Sequence, residues 1–88
     1  MPYYVRTLLI TALPDEAAGE IERHREHLRR LHEEGRLKAA GSFTHGDGFL
    51  EIFEAKDLLE AEAIARSSPL VENGLGTWML REWQEVKF

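Results

Sequence analysis

The sequence predicts a small α+β domain with the element order βαββαβ. Three observations support this prediction. Two long runs of good helix formers occupy residues 16–34 and 57–66. Four short runs are rich in aliphatic and aromatic residues, as strands are. These runs alternate along a chain of only 88 residues, which leaves room for one core and therefore for one domain, residues 1–88.

The first strand and the first helix have clear limits. Strand 1 covers Tyr3 to Thr11, and Pro14 follows it. We expect Asp15 as the N-cap of a helix that runs from Glu16 to Glu34. Gly35 ends this helix, because a left-handed C-cap residue is commonly glycine.

The second half of the chain predicts a hairpin, a helix and a final strand. Asp57, with Glu60 three residues later, forms a capping-box-like start for a helix that ends before Pro69. The three strands predicted here are Arg36–Phe43, Gly48–Glu54 and Thr77–Val86. The full order is that of the ferredoxin-like split βαβ fold, a four-stranded antiparallel sheet with two helices on one face.

The strands are apolar on both faces of the predicted sheet. In strand 3, Phe49 and Phe53 point one way while Leu50 and Ile52 point the other. A sheet with one solvated face would alternate apolar and polar residues instead. Large apolar surfaces are seldom left exposed on a monomer, so the second face predicts a homodimer formed through the sheets of two copies.

Composition excludes several function classes. The chain has no cysteine, which removes thiol catalysis, disulfides and thiolate metal sites. Its net charge of -5 disfavours nucleic acid as a partner. The N-terminal apolar run is too short to cross a membrane and lacks the features of a secretory signal, so we expect a cytoplasmic protein without a membrane partner.

His24 is the residue that the helix pattern singles out. It lies within the apolar stripe of helix 1, which faces the sheet, whereas His27 and His32 flank that stripe and are expected at the solvated surface. A histidine in this place is either a hydrogen-bonded core residue or an acid–base group at the edge of a cavity. His24 and His27 could share a metal, but no third ligand is evident, so we predict neither a metal nor a cofactor.

The whole chain resembles a known family. The runs HREHLRRLHEEGRLKAAGSF and GDGFLEIFEAKDLLEAEAIARSSPLVENGL, followed by an aromatic strand, resemble the YCII-related (YciI-like) family of the dimeric α+β barrel superfamily. In that family a helix 1 histidine stands eleven residues before the glycine that closes the helix. Counting back from Gly35 gives His24. The resemblance thus implies a dimer and a site at His24.

The resemblance also implies a partner for the histidine, and here the chain departs from the family. An aspartate before a proline after helix 2 forms the family's catalytic pair with the histidine, but Ser68 occupies that position before Pro69. A serine orients an imidazole without supplying charge, so a pair of His24 and Ser68 would be a weaker general base. Residues expected around the pocket are Gly41, Ser42, Pro69 and Leu70.

Three functions stay open on the sequence alone. The first is a non-catalytic dimeric protein that either binds a small molecule in a cleft near His24 or has a structural role and keeps His24 as a hydrogen-bonded residue. The second is an enzyme that uses His24 for acid–base chemistry of the lyase or dehalogenation type. The third rests on fold analogy alone and is a dimeric monooxygenase, whose pocket Phe43, Trp78 and Trp83 would line.

Overall fold

Four strands form an antiparallel sheet, and three helices cover one face of it. The computed structural model describes residues 1–88. Along the chain, the elements are β1 (Tyr3–Ile10), α1 (Pro14–Glu33), β2 (Leu37–Ser42), β3 (Gly48–Glu54), α2 (Leu58–Arg66), α3 (Pro69–Glu72) and β4 (Gly76–Trp83). The sheet order is β2-β3-β1-β4, with every neighbouring pair antiparallel. The predicted ferredoxin-like α+β fold is confirmed.

Helix α1 begins two residues earlier than predicted. Its N-cap is Leu13, and Pro14 occupies the first helical position, where the missing N–H of proline costs no hydrogen bond. The expectation of Asp15 as N-cap is therefore wrong, and its carboxylate lies in the first turn near the positive end of the helix dipole. Gly35 ends the helix as predicted, with a φ of 75°.

The segment after α2 contains a helical turn that the sequence did not predict. Helix α2 begins as expected, because the Asp57 side chain accepts a hydrogen bond from the Glu60 backbone N–H at 2.9 Å. After α2 ends, Pro69 starts the four-residue helix α3 with Ser68 as its N-cap. This turn carries Ser68 and Leu70 inwards, where both are fully buried.

Both faces of the sheet carry the apolar side chains that the strand pattern predicts, but the helices cover only one face. Leu8 and Phe49, which are partners across β1 and β3, are buried beneath the helices. On the outer face, Leu9 and Met79 are 47% and 60% exposed. The other large apolar side chains of this outer face are half-buried: Tyr3, Val5, Leu50, Ile52 and Trp83.

The buried side of the sheet holds two apolar clusters with a polar layer between them. One cluster contains Leu8, Leu28, Leu31, Phe49 and Leu70, and the other contains Tyr4, Phe53, Ala55 and Ala61. The strand positions between the clusters carry Arg6 and Glu51. No helix has both the length and the apolar character needed to cross a membrane.

Candidate functional site

The polar layer is built on a buried ion pair. Arg6 of β1 and Glu51 of β3 are cross-strand partners, and neither is more than 1% exposed. The Arg6 Nε and Nη2 donate to the two carboxylate oxygens of Glu51 at 3.2 and 2.9 Å. Its Nη1 donates to the backbone carbonyl of Ala65 at 2.6 Å, near the end of α2. The guanidinium therefore ties the sheet to α2.

His24 completes this layer from α1. Its Nε2 lies 2.7 Å from Oε1 of Glu51, and its Nδ1 lies 2.7 Å from the hydroxyl of Ser68. The imidazole is fully buried, and the Phe49 ring packs beside it with 4.7 Å between the ring centroids. Four segments of the chain thus bring Arg6, Glu51, His24 and Ser68 into one hydrogen-bonded cluster.

The hydrogen-bond partners of Glu51 keep its carboxyl group ionised, and this determines which ring nitrogen of His24 donates. Burial raises the pKa of the Glu51 carboxyl, but hydrogen bonds from His24 and Arg6 and the charge of Arg6 outweigh burial, so the pKa lies below its usual value. An ionised carboxylate only accepts hydrogen bonds, so Nε2 of His24 donates to it. In the neutral ring, Nδ1 then accepts from the Ser68 hydroxyl. The charges of Arg6 and Glu51 cancel.

His27 departs from its expected place at the solvated surface. Its ring stacks on that of His24 with 5.9 Å between centroids, and its Nε2 is buried without a hydrogen-bond partner. Burial, together with the nearby charge of Arg6, lowers the pKa of His27 to about 4. The expectation of a solvated His27 is wrong, whereas His32 is exposed as expected.

The expected pocket residues separate into two groups. Gly41 and Ser42 line a surface groove of about 290 Å³ between α1 and the edge strand β2. Pro69 and Leu70 do not line this groove, and Leu70 belongs to the apolar core because α3 turns it inwards. The groove residues are Arg25, Leu28, Arg29, Ala40, Gly41, Ser42 and Phe49.

Sequence reasoning missed Arg6 and Glu51, although the strand pattern contains the signal for both. Glu51 stands between Phe49 and Phe53 in the two-residue period of the buried face, and Arg6 stands in the same way between two buried apolar residues of β1. A charged residue in such a position is buried, and a buried charge needs a partner. The carboxylate of Glu51 contacts Nε2 of His24, the ring nitrogen opposite the one that contacts Ser68.

The aromatic residues considered for a monooxygenase pocket do not come together. Trp78 lies on the helix side of the sheet, with the Arg66 guanidinium 5.6 Å from its ring centroid. Trp83 lies on the outer face against Tyr3, and Phe43 lies in the exposed turn after β2. Nothing in their placement favours that function.

The chain matches the family model of the YCII-related domain over residues 3–84. It belongs to the YCII-related family. It is 39% identical over 64 residues to the uncharacterised protein YjpA of Bacillus subtilis (strain 168), a stretch that spans 73% of this chain and 75% of YjpA.

A solved structure shares the fold. It is 5-chloro-2-hydroxyhydroquinone dehydrochlorinase (TftG) from Burkholderia phenoliruptrix AC1100 in complex with 2,5-dihydroxybenzoquinone, similar with a TM-score of 0.82. The similarity covers 96% of this chain and 95% of TftG, at 14% sequence identity. At this identity the similarity shows the ferredoxin-like fold alone.

Replacing Glu51 tests the dependence of the layer on its carboxylate. We expect Glu51→Gln to lower the free energy of unfolding by about 3–5 kcal/mol, because it leaves the Arg6 guanidinium buried without a counter-charge. The matched control is Glu60→Gln, which removes the charge from a half-buried pair with Arg36 at 2.8 Å and should lower the free energy of unfolding much less. Urea unfolding monitored by tryptophan fluorescence measures both. Equal losses for the two variants would contradict the prediction.

The lowered pKa of His27 predicts acid sensitivity of the fold. The folded pKa of about 4 lies below the ordinary 6.5, so the unfolded chain binds more protons between these values, and stability falls as the pH falls through this window. A fully buried group with such a shift would contribute about 3 kcal/mol, but screening by solvent at this half-buried ring reduces the expected effect to about 1 kcal/mol. The lowered pKa of Glu51 removes further stability as the pH falls past the ordinary glutamate value of 4.5, because the unfolded chain binds this proton first.

The measurement is urea unfolding at a series of pH values from neutral to mildly acidic. His27→Gln should flatten the decline in stability across the window, while His32→Gln, at an exposed position, should leave it unchanged. The same decline in the wild type and in His27→Gln would rule out His27 as its source.

Proposed function

We propose that this YCII-related protein binds a small organic molecule in the groove between α1 and β2, beside His24. The observation that carries the proposal is the composition of the groove. It combines apolar side chains with arginine side chains and has a volume of about 290 Å³, near the lower end of the range for ligand pockets. Phe49 lines the groove and also contacts His24.

The state of His24 favours binding over catalysis. Both ring nitrogens are engaged by protein groups, and the ring is fully buried. A ligand in the groove would meet Phe49 rather than the imidazole. His24 then acts by fixing α1 against the sheet, and through Phe49 it shapes the groove.

A fragment screen tests the binding function. We expect small aromatic fragments to shift the backbone amide NMR signals of Gly41, Ser42 and neighbouring groove residues. Ser42→Trp should fill the groove and weaken this binding at least about tenfold. Thr44→Trp, in the exposed turn outside the groove, should leave the shifts unchanged. If no fragment moves these signals, the groove is not a binding site.

A second candidate function is acid–base catalysis by His24. The observation that favours it is the Glu51 carboxylate on Nε2, because a carboxylate orients an imidazole and stabilises its protonated form. Opening of the Ser68 hydrogen bond would free Nδ1 as the base. A dehydrochlorination removes a proton and a chloride ion, and the shared fold of TftG makes its named substrate a suitable probe.

Chloride release from 5-chloro-2-hydroxyhydroquinone measures this activity. If His24 is an acid–base catalyst, the wild type releases chloride, and His24→Gln lowers the rate of chloride release by about 100-fold or more. His27→Gln is the control, because its ring stacks on His24 but bonds to neither Glu51 nor Ser68. A wild-type rate no higher than the uncatalysed rate would rule out this reaction.

We further propose that two copies pair through the outer face of the sheet. Seven apolar side chains of three strands lie on this face, and Leu9 and Met79 are its most exposed members. The same face carries Glu54 and Arg81, so it offers both charges to an identical partner. In a two-fold interface, any contact between Glu54 of one copy and Arg81 of the other would occur twice.

Met79→Glu tests the dimer. Placing a carboxylate at the most exposed apolar position of the face should convert the dimer to a monomer, because an unpaired charge would be buried on association. Leu59→Glu is the control, since Leu59 is 79% exposed on α2, away from the sheet. Sedimentation equilibrium measures the mass of each variant. A monomeric wild-type protein, or a dimeric Met79→Glu variant, would overturn the proposed interface.

A further inference from the structure

We infer that the groove between α1 and β2 takes a small organic anion, an aromatic carboxylate, and that Arg25 and Arg29 hold its charged end. The inference rests on the proposed binding function and adds the chemical class of the ligand. Its basis is the position of the two guanidinium groups, the absence of any acidic group from the groove lining, and the apolar surface between them.

The helix places the two arginines together. Arg25 and Arg29 are four residues apart and therefore lie one above the other on the same side of α1. Leu28 lies beside them on the same stripe, and all three line the groove. Two guanidinium groups with an apolar side chain between them suit a ligand with an anionic end and an apolar body.

The charge of this groove differs from that of the rest of the chain. The net charge is -5, yet this groove has two basic residues and no acidic residue in its lining. Other surface grooves that contain basic residues also contain acidic ones: Glu82 beside Arg81, Glu82 and Glu85 beside Lys38, and Asp57 and Glu60 beside Lys56. Among these grooves, only this one has a lining with basic residues and no acidic residue.

The ion pairs along α1 do not prevent this role. Arg25 lies 3.9 Å from Glu22, and Arg29 lies 2.9 Å from Glu26, with all four side chains more than half exposed. Exposed pairs of this kind contribute little to stability. A guanidinium group has five N–H donors, so each arginine can keep its glutamate and still donate to a carboxylate in the groove.

The wall of the groove suits an aromatic body. The Arg25 guanidinium carbon lies 5.8 Å from the centroid of the Phe49 ring, within the range of a cation–π contact. This contact holds the guanidinium over the groove, because Phe49 is itself fixed against His24. Leu28, Ala40 and Phe49 then present apolar surface to the body of the ligand.

Titration with benzoate and with benzamide tests the inference. The two probes have the same ring, but only benzoate carries a charge. We expect benzoate to shift the amide signals of Gly41 and Ser42 and to bind at least about tenfold more tightly than benzamide, as charge-assisted hydrogen bonds predict. Added salt should weaken benzoate binding and leave benzamide binding unchanged.

Variants assign the effect to the two arginines. Arg25→Gln and Arg29→Gln should each raise the dissociation constant of benzoate about tenfold and bring it towards that of benzamide. Arg30→Gln is the matched control, because Arg30 is an exposed arginine of the same helix outside the groove. Exposed substitutions of this kind leave the fold intact.

The outcomes separate this inference from the binding function. If benzoate and benzamide bind the groove equally, or if Arg30→Gln weakens benzoate as much as the groove variants do, the anion inference fails and the binding function stands. If neither probe nor any other fragment shifts the groove signals, both fail. Selective benzoate binding that depends on Arg25 and Arg29 supports both.

Discussion

The rest of the structure depends on the hydrogen bonds that the buried Glu51 carboxylate accepts from Arg6 and His24. One of its oxygens accepts hydrogen bonds from both Arg6 and His24, and so it joins β1, β3 and α1 at one point. Removing it would leave a guanidinium and an imidazole without their shared partner in a space closed to water. The two apolar clusters lie on either side of this layer, so their packing depends on a polar group that neither cluster contains.

The sequence predicts the fold well because the spacing of apolar residues along the chain differs between strands and helices. Alternation in β3 correctly places Phe49 and Phe53 opposite Leu50 and Ile52, and the glycine at position 35 correctly marks the end of α1. The residues at which the helices begin depend on local capping, which the spacing of apolar residues does not specify. Pro14 starts α1 ahead of Asp15, and Pro69 starts α3, because proline suits the first turn of a helix.

The candidate site is only partly predictable from sequence. The helix wheel finds His24, and the family resemblance points to Ser68, whose hydroxyl lies 2.7 Å away. The carboxylate partner is not predicted, because Glu51 is 27 residues from His24 and belongs to a strand whose pattern is dominated by apolar residues. Partners joined across a sheet depend on register, and a sequence without a known register does not specify them.

The separation of the cluster residues along the chain has a consequence for how the protein folds. Its contacts join residues 27, 44, 45 and 59 positions apart, and no contact of the cluster is local. Docking of α1 onto the sheet without α2 would begin to dehydrate the guanidinium and the carboxylate before the Ala65 carbonyl of α2 could accept its hydrogen bond from Arg6. Partly docked states are therefore penalised, and the cluster makes the assembly of sheet and helices an all-or-none event.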